Sequence, residues 1–291
     1  IFSEGGDAYV SNKNIYYYEE EWTGNGKQEK TLLRKLSYKK GKLAVVAQKT
    51  FRGYLNDSFS IDEYDGYLRM VVTRSKTNAV YVLDQKLKLT GKITNLAKDE
   101  RVYSARFLGD TGYFVTYKET DPLFSVDLSN PKNPKILGRL KIPGFSNYLH
   151  FYGEDKLLGI GMDVDKKGDV TDGVKLSMFD ISDSSDVKEI QKYTLENVYS
   201  AAVMYDYKAV LIDPEKNVIG FAADGNNGEN YYVFSYNDTN GFECLMSETV
   251  NGNGYQSARG VYVDNTLYVV KGNIIEAYDM ADYQKIDDLI L

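Results

Sequence analysis

A strand-like run that ends in aspartate recurs along this chain of 291 residues. Five runs close in this way: "VYVLD" at Asp84, "LFSVDLS" with Asp127, "LSMFDIS" with Asp180, "YYVFSYND" at Asp238 and "IIEAYDM" with Asp279. A less regular relative is "LLRKLSYKKG". Ahead of each run stands another strand signal: "NIYYYEE", "GYLRMVV", "GYFVTY", "KLLGIGM", "NVIGFAA" or "TLYVV". These begin near residues 14, 66, 112, 156, 217 and 266, at intervals of 44 to 61 residues. Apolar runs of about five to eight residues between Gly, Asn and Asp are strand and turn chemistry, and helical periodicity is hard to find. A repeat of this size holds about four short strands. A sheet of four strands cannot bury both its faces alone, so repeated sheets stack into a ring.

The expected fold is therefore an all-β propeller with six four-stranded blades. As one domain over 1–291, its blades would span about 1–51, 52–97, 98–143, 144–195, 196–251 and 252–291. An irregular β-sandwich is the competing architecture, which the regular spacing disfavours. Turns between first and second strands are short ("SNK", "YDG", "GDTG", "GED", "DPEK", "VDN"). Longer Gly- and Asn-rich connections such as "DVDKKGDVTDGV", "ADGNNGEN" and "NGNGY" collect at the other end, where function usually sits on a rigid scaffold.

Composition removes several classes. A formal charge of −7 with no basic stripe gives no footprint for nucleic acid. The single Cys244 forms no internal disulfide and excludes a cysteine-based zinc site. No apolar run reaches the roughly 18–20 residues of a membrane-spanning helix. Residue 1 is Ile, which reads as a processed or engineered boundary. Tyr is abundant, with 26 copies against one Trp and one His, and suits a pleated, half-buried surface.

The stretch "ERVYSARFLGDTGYFVTYKETDPLFSVDLSNPKNPKILGRLKIPGFSNYLHFYGEDKLLGIGMD" resembles a bacterial family of secreted C-terminal β-propeller proteins, distantly related to WD40 repeats. "FSIDEYDGYLRMVVT" and "YDYKAVLIDPEKNVIGF" are similar to two further signatures of that family. The resemblance runs from about residue 50 to the C-terminus and is weaker over 1–50. It implies an extracellular or cell-envelope setting, with the signal or anchor absent from this chain, and an unassigned biochemical role. It also implies more chain ahead of residue 1, and a His where this chain has Tyr207.

Several patterns raise specific chemistry. Asp163, Asp165 and Asp169, with Gly168, stand at positions 1, 3, 7 and 6 of a Ca²⁺-loop pattern. Lys167 at position 5 and Val174 at position 12 spoil it, because the loop needs oxygen ligands there. A looser Ca²⁺ site remains the weak alternative to a solvated acidic loop, and no other cofactor is expected. His150, the single imidazole, is too little for zinc hydrolysis, and no G-x-S-x-G elbow supports a Ser–His–Asp arrangement around it. "GNGKQ", "DGNNGE" and "NGNG" read as turns, lacking the context of a phosphate cradle.

Superposing the innermost strands ("FSID", "YSAR", "YLH", "QSAR") places Asp62, Arg106, His150 and Arg259 in one column. Asp7 fits the same column, and the fifth repeat offers Ala202, Tyr207 or Lys208. Such a column would line a propeller channel near the loop-rich mouth, where Arg can grip a carboxylate or phosphate. The alternative is a set of structural ion pairs, Arg106 with Asp62 and Arg259 with Asp7. The expected function is a non-catalytic binding or interaction module, a monomer meeting a protein or glycan partner. The alternative is an enzyme acting on carbohydrate or another polyanion at the channel mouth.

Overall fold

The computed structural model describes residues 6–22, 28–117, 121–164 and 171–291. Strands dominate, and the helical content of the described residues is two 3₁₀ turns, Ala202–Met204 and Tyr207–Ala209. The first sheet holds β1 (Asp7–Val10), β2 (Asn14–Trp22), β3 (Gln28–Lys39) and β4 (Lys42–Arg52). The second holds β5 (Ile61–Tyr64), β6 (Tyr67–Arg74), β7 (Thr77–Leu83) and β8 (Leu89–Leu96). The third holds β9 (Arg101–Leu108), β10 (Thr111–Tyr117), β11 (Asp121–Asp127) and β12 (Lys135–Ile142). The fourth holds β13 (Phe145–Phe151), β14 (Lys156–Val164), β15 (Thr171–Asp180) and β16 (Lys188–Glu196). The fifth holds β17 (Val198–Ala201), β18 (Val210–Asp213), β19 (Val218–Gly225), β20 (Gly228–Asn237) and β21 (Gly241–Glu248). The sixth holds β22 (Arg259–Val263), β23 (Thr266–Lys271), β24 (Ile274–Asp279) and β25 (Lys285–Ile290).

Each sheet is an antiparallel meander in chain order, the blade pattern the repeat predicts; in the fifth, β17 and β18 share the first position and both pair with β19. The blades fall into two compact units. Unit one is residues 1–142 with 183–187 and carries the first three; unit two is 143–182 with 188–291 and carries the last three.

The recurring aspartate has a local reason. Where the third strand of a blade ends, a side-chain oxygen accepts the backbone N–H two residues on and so closes the turn to the fourth strand. Asp84 accepts from Lys86 (2.8 Å), Asp127 from Ser129 (2.9 Å), Asp180 from Ser182 (2.9 Å) and Asp279 from Ala281 (2.9 Å). In the fifth blade Asn237, not the expected Asp238, does this, accepting from Thr239 and Asn240. The hydrogen bonds given by Ser129 and Ser182 hold the Asp127 and Asp180 carboxyls below the usual range.

Alternation along the strands then builds the seams between blades. In unit one, Val71, Val80 and Val82 meet Val102, Ala105, Phe114 and Phe124, with the last two rings stacked at 4.9 Å. In unit two, the fully buried Tyr231 lies against Gly220 and Gly260; a Cβ on Gly260 would come 2.0 Å from its hydroxyl, so no larger residue fits. The β5–β6 hairpin turns on Asp65 (φ 43°) and Gly66 (φ 79°), the left-handed pair of a two-residue turn. Among the described residues, no helix is long and apolar enough to cross a membrane.

Candidate functional site

In unit one the column residue Arg106 is buried and Asp62 partly so, while Asp7 is exposed. Register sets Asp62 on β5 directly opposite Arg69 on β6, and cross-strand partners sit close enough to bond. Arg69 grips Asp62 through Nε (3.0 Å) and Nη2, a two-pronged contact. Its Nη1 donates to the Gly109 carbonyl, and its guanidinium lies 4.6 Å from the Tyr64 ring centre and 5.1 Å from that of Phe107. Only 4% of the Arg69 side chain is exposed. Arg106 does not pair with Asp62 as the column suggested. It is 7% exposed, lies 3.5 Å from the centre of the Phe59 ring, and donates from Nη1 to the Ala105 carbonyl (2.7 Å). The sequence alignment could not see Arg69, because that residue belongs to the second strand of its blade.

Next to this pair, Glu63 joins the first two blades, accepting from Asn14 Nδ2 (2.8 Å) and from Ser11. Burial pushes its carboxyl up, but hydrogen bonds from Asn14, Ser11 and Tyr16 and the Lys35 charge bring it below the usual range.

In unit two the column meets a different setting. Ala201 on β17 faces Ala223 of β19, and Val210 on β18 faces Phe221, so the strand loops out residues 202–209 opposite Ala222 alone. The excursion folds as the two 3₁₀ turns. Tyr205 and Asp206 N–H donate to the Ala202 carbonyl (3.1 and 2.9 Å), and Asp206 Oδ1 accepts from Lys208 N (3.0 Å). Val203 and Ala209 are its buried anchors, and the first turn packs against β13, β14 and β19. Tyr205 is left 83% exposed, with Tyr207 and Lys208 also at the surface.

Arg259, at the start of β22, forms an ion pair with Asp206, and 52% of its side chain is exposed. His150, on β13, shares a hydrogen bond with the Tyr148 hydroxyl through Nδ1 (3.0 Å). Tyr199 on β17 and Tyr255 ahead of β22 add two further exposed rings. Unit two thus sets Arg259 on an insertion that exposes Tyr207 and Lys208, while His150 is held by Tyr148 on β13. The residues that sequence reasoning missed are Tyr205 and Asp206; the signal was the "MYDYKA" segment, whose length breaks the repeat.

Of the Ca²⁺ pattern, Asp163 is the one aspartate among the described residues. Asp165 and Asp169 lie outside the described residues. Asp163 lies within the buried run of β14, and its Oδ2 accepts from Lys192 Nζ (2.9 Å) and Thr194 Oγ1 (2.9 Å). Burial raises its carboxyl, but those two bonds and the Lys192 and Lys175 charges outweigh burial and leave it below the usual range. Its positive partner is already a lysine. Among the described residues, no three His, Cys, Asp or Glu side chains converge as a metal site would need.

Comparison with known proteins places this geometry in a family. Residues 1–283 match the family described as "Beta propeller domain", and the chain belongs to it. An uncharacterized protein of Archaeoglobus fulgidus is 39% identical over 288 residues, covering 98% of this chain and 43% of that protein. An uncharacterized protein of Methanocaldococcus jannaschii is 41% identical over 280 residues, covering 92% of this chain and 41% of the other. The chain spans less than half the length of these two relatives, and both are archaeal where the resemblance suggested a bacterial family.

Among solved structures, a candidate 6-phosphogluconolactonase of Bacteroides uniformis superposes with a TM-score of 0.57 at 14% identity, over 98% of this chain and 84% of that one. One of Bacteroides fragilis gives 0.58 at 12%, over 98% and 83%. At such identities the likeness is one of fold, and it agrees with an all-β propeller of six four-stranded blades.

Proposed function

We propose that this chain is a non-catalytic binding module, working outside the cytoplasm or at the cell envelope, that meets a protein or glycan through the insertion of the fifth blade. The observation that carries this reading is the exposed set of Tyr205, Tyr207 and Lys208 on a segment that Asp206 pins to the exposed Arg259 of β22. Tyr and Arg supply most of the energy at binding hot spots, and Tyr offers large rigid contact area at small entropic cost. The buried anchors, the Asp206 cap of the second turn and the ion pair order the segment before any partner arrives, which lowers the cost of association. The extracytoplasmic setting and the distant WD40 relationship rest on the quoted stretches that resemble secreted propellers. The lactonase name stays with the Bacteroides proteins, whose likeness to this chain is of fold.

Co-sedimentation of the purified chain with isolated archaeal cell envelopes tests the reading. The parent is expected to sediment with envelopes, and Tyr205→Ala with Tyr207→Ala to lose about 2 kcal/mol of affinity, the size of a hot-spot truncation. Equal sedimentation of parent and variant, or none by either, would refute it. Turnover of an envelope glycan would replace it with the enzyme alternative.

A further inference from the structure

A second surface lies in unit one, away from any residue of the insertion in sequence. A cleft of about 420 Å³ opens beside the connection entering β9 and the last residue of β10, with Tyr54, Tyr103 and Tyr117 among its walls and Asp99, Glu100 and Arg101 at its polar edge. Its size falls within the roughly 300–1,000 Å³ of small-ligand pockets.

The walls are held from beneath. Tyr54 is tied to Thr73 by two backbone hydrogen bonds (2.9 and 3.0 Å), an isolated bridge outside the named strands. Thr73 Oγ1 donates to Asn78 Oδ1 (3.0 Å) and accepts from Val102 N (2.8 Å), while Asn78 Nδ2 donates to the Glu100 carbonyl (3.1 Å). This buried network fixes the entry to β9. Tyr103 and Tyr117 meet edge to face, with centroids 5.7 Å apart and planes at 90°. Arg101 lies over the Tyr103 ring at 4.5 Å and donates to its hydroxyl (2.8 Å). Thr116 donates to the Glu100 carboxylate, which also faces Arg139 at 3.9 Å.

We infer that this cleft is a saccharide-binding site for a neutral or amino-bearing sugar. Tyrosine presents an apolar face and a polar tip, the pairing that a sugar ring needs, with its C–H face on the ring and its hydroxyls on the rim. Glu100 is already engaged by Thr116 and Arg139, and Arg101 sits on Tyr103, so among the lining residues no cation is left to grip a sugar acid or sugar phosphate, while Asp99 offers its carboxylate to a hydroxyl or amino group. This site stands on its own observations and does not depend on the insertion in unit two.

Titration calorimetry of the chain with cellobiose, a glucosamine disaccharide and digalacturonate is the test, with thermal melting to verify that each variant folds. The expected result is a Kd of about 1 mM or tighter for cellobiose or the glucosamine disaccharide, corresponding to roughly 4 kcal/mol. Tyr117→Ala is expected to weaken it about tenfold or more, and Tyr103→Phe, which keeps the ring, to retain most of it. Three results would each overturn the inference: neither sugar binding at about 10 mM, digalacturonate binding tighter than both, or a folded Tyr117→Ala binding like the parent. Loss in Tyr103→Phe as complete as in Tyr117→Ala would remove the ring-platform argument as well.

Discussion

Asp62 and Arg106 in unit one and His150 and Arg259 in unit two come from the same place in a repeated sequence, yet the two halves have opposite chemistry. In unit one the charge is consumed inside the fold: Arg69 holds Asp62, and Arg106 lies on Phe59. In unit two Arg259 stands at the surface on Asp206, beside three insertion residues that reach solvent. Position in a repeat sets where a residue sits on its strand. What the residue does is set by the side chain opposite, and by whether the strand continues or loops out. A guanidinium with aromatic rings on its faces and a carboxylate on its fork has nothing left for a ligand, whereas an exposed one at the start of β22, beside a short insertion, does.

The largest effect should come from Arg69→Ala. It leaves Asp62 in a partly buried site without its partner, and breaking such a pair costs about 3–5 kcal/mol. The value should lie toward the lower end, because a quarter of the Asp62 side chain remains in water. Urea denaturation reads it as a lower midpoint. Arg69→Lys should recover only part, since an ammonium cannot make the two-pronged contact. A midpoint within error of the parent would erase the interior half of the comparison.

Arg106→Ala should come next. It removes a desolvated cation from the Phe59 ring, worth about 2 kcal/mol when buried, with no carboxylate of Asp62 released. The double variant with Arg69→Ala measures whether the two arginines belong to one network. A sum of the single effects is expected, since Arg69 holds Asp62 and Arg106 lies on Phe59. A strong coupling would show that Asp62 connects them after all.

The smallest effect on stability belongs to Arg259→Ala. An exposed ion pair contributes about 0–1 kcal/mol, so the midpoint should barely move. The readout to watch is proteolysis between residues 202 and 209, which should quicken once Asp206 loses its partner. A destabilisation as large as that of Arg69→Ala would make Arg259 a structural residue and sharpen the comparison into identity.

The blades were legible because their signals are local. Alternating apolar residues, short turns and the aspartate that closes the third-to-fourth turn all act within a few residues of one another. Even the exception follows this rule, for Asn237 offers the same oxygen as an aspartate at the same place. The partners of the charged column were not legible. Arg69 reaches Asp62 only through cross-strand register, and Asp206 reaches Arg259 across 53 residues of sequence. The partners of Asp163 were hidden for the same reason, since Lys192 and Thr194 arrive from another strand.

By itself, then, the sequence determined the number of blades, the strand order within each and the turn chemistry that punctuates them, because backbone hydrogen bonding and the period of two are properties of short segments. Only the tertiary structure decided which charges are spent inside the fold, that residues 202–209 leave the sheet as a tyrosine-bearing insertion, and that Tyr54, Tyr103 and Tyr117 wall one cleft. Those outcomes depend on register between strands and on packing between blades, where side chains far apart in the chain compete for the same space and the same charge.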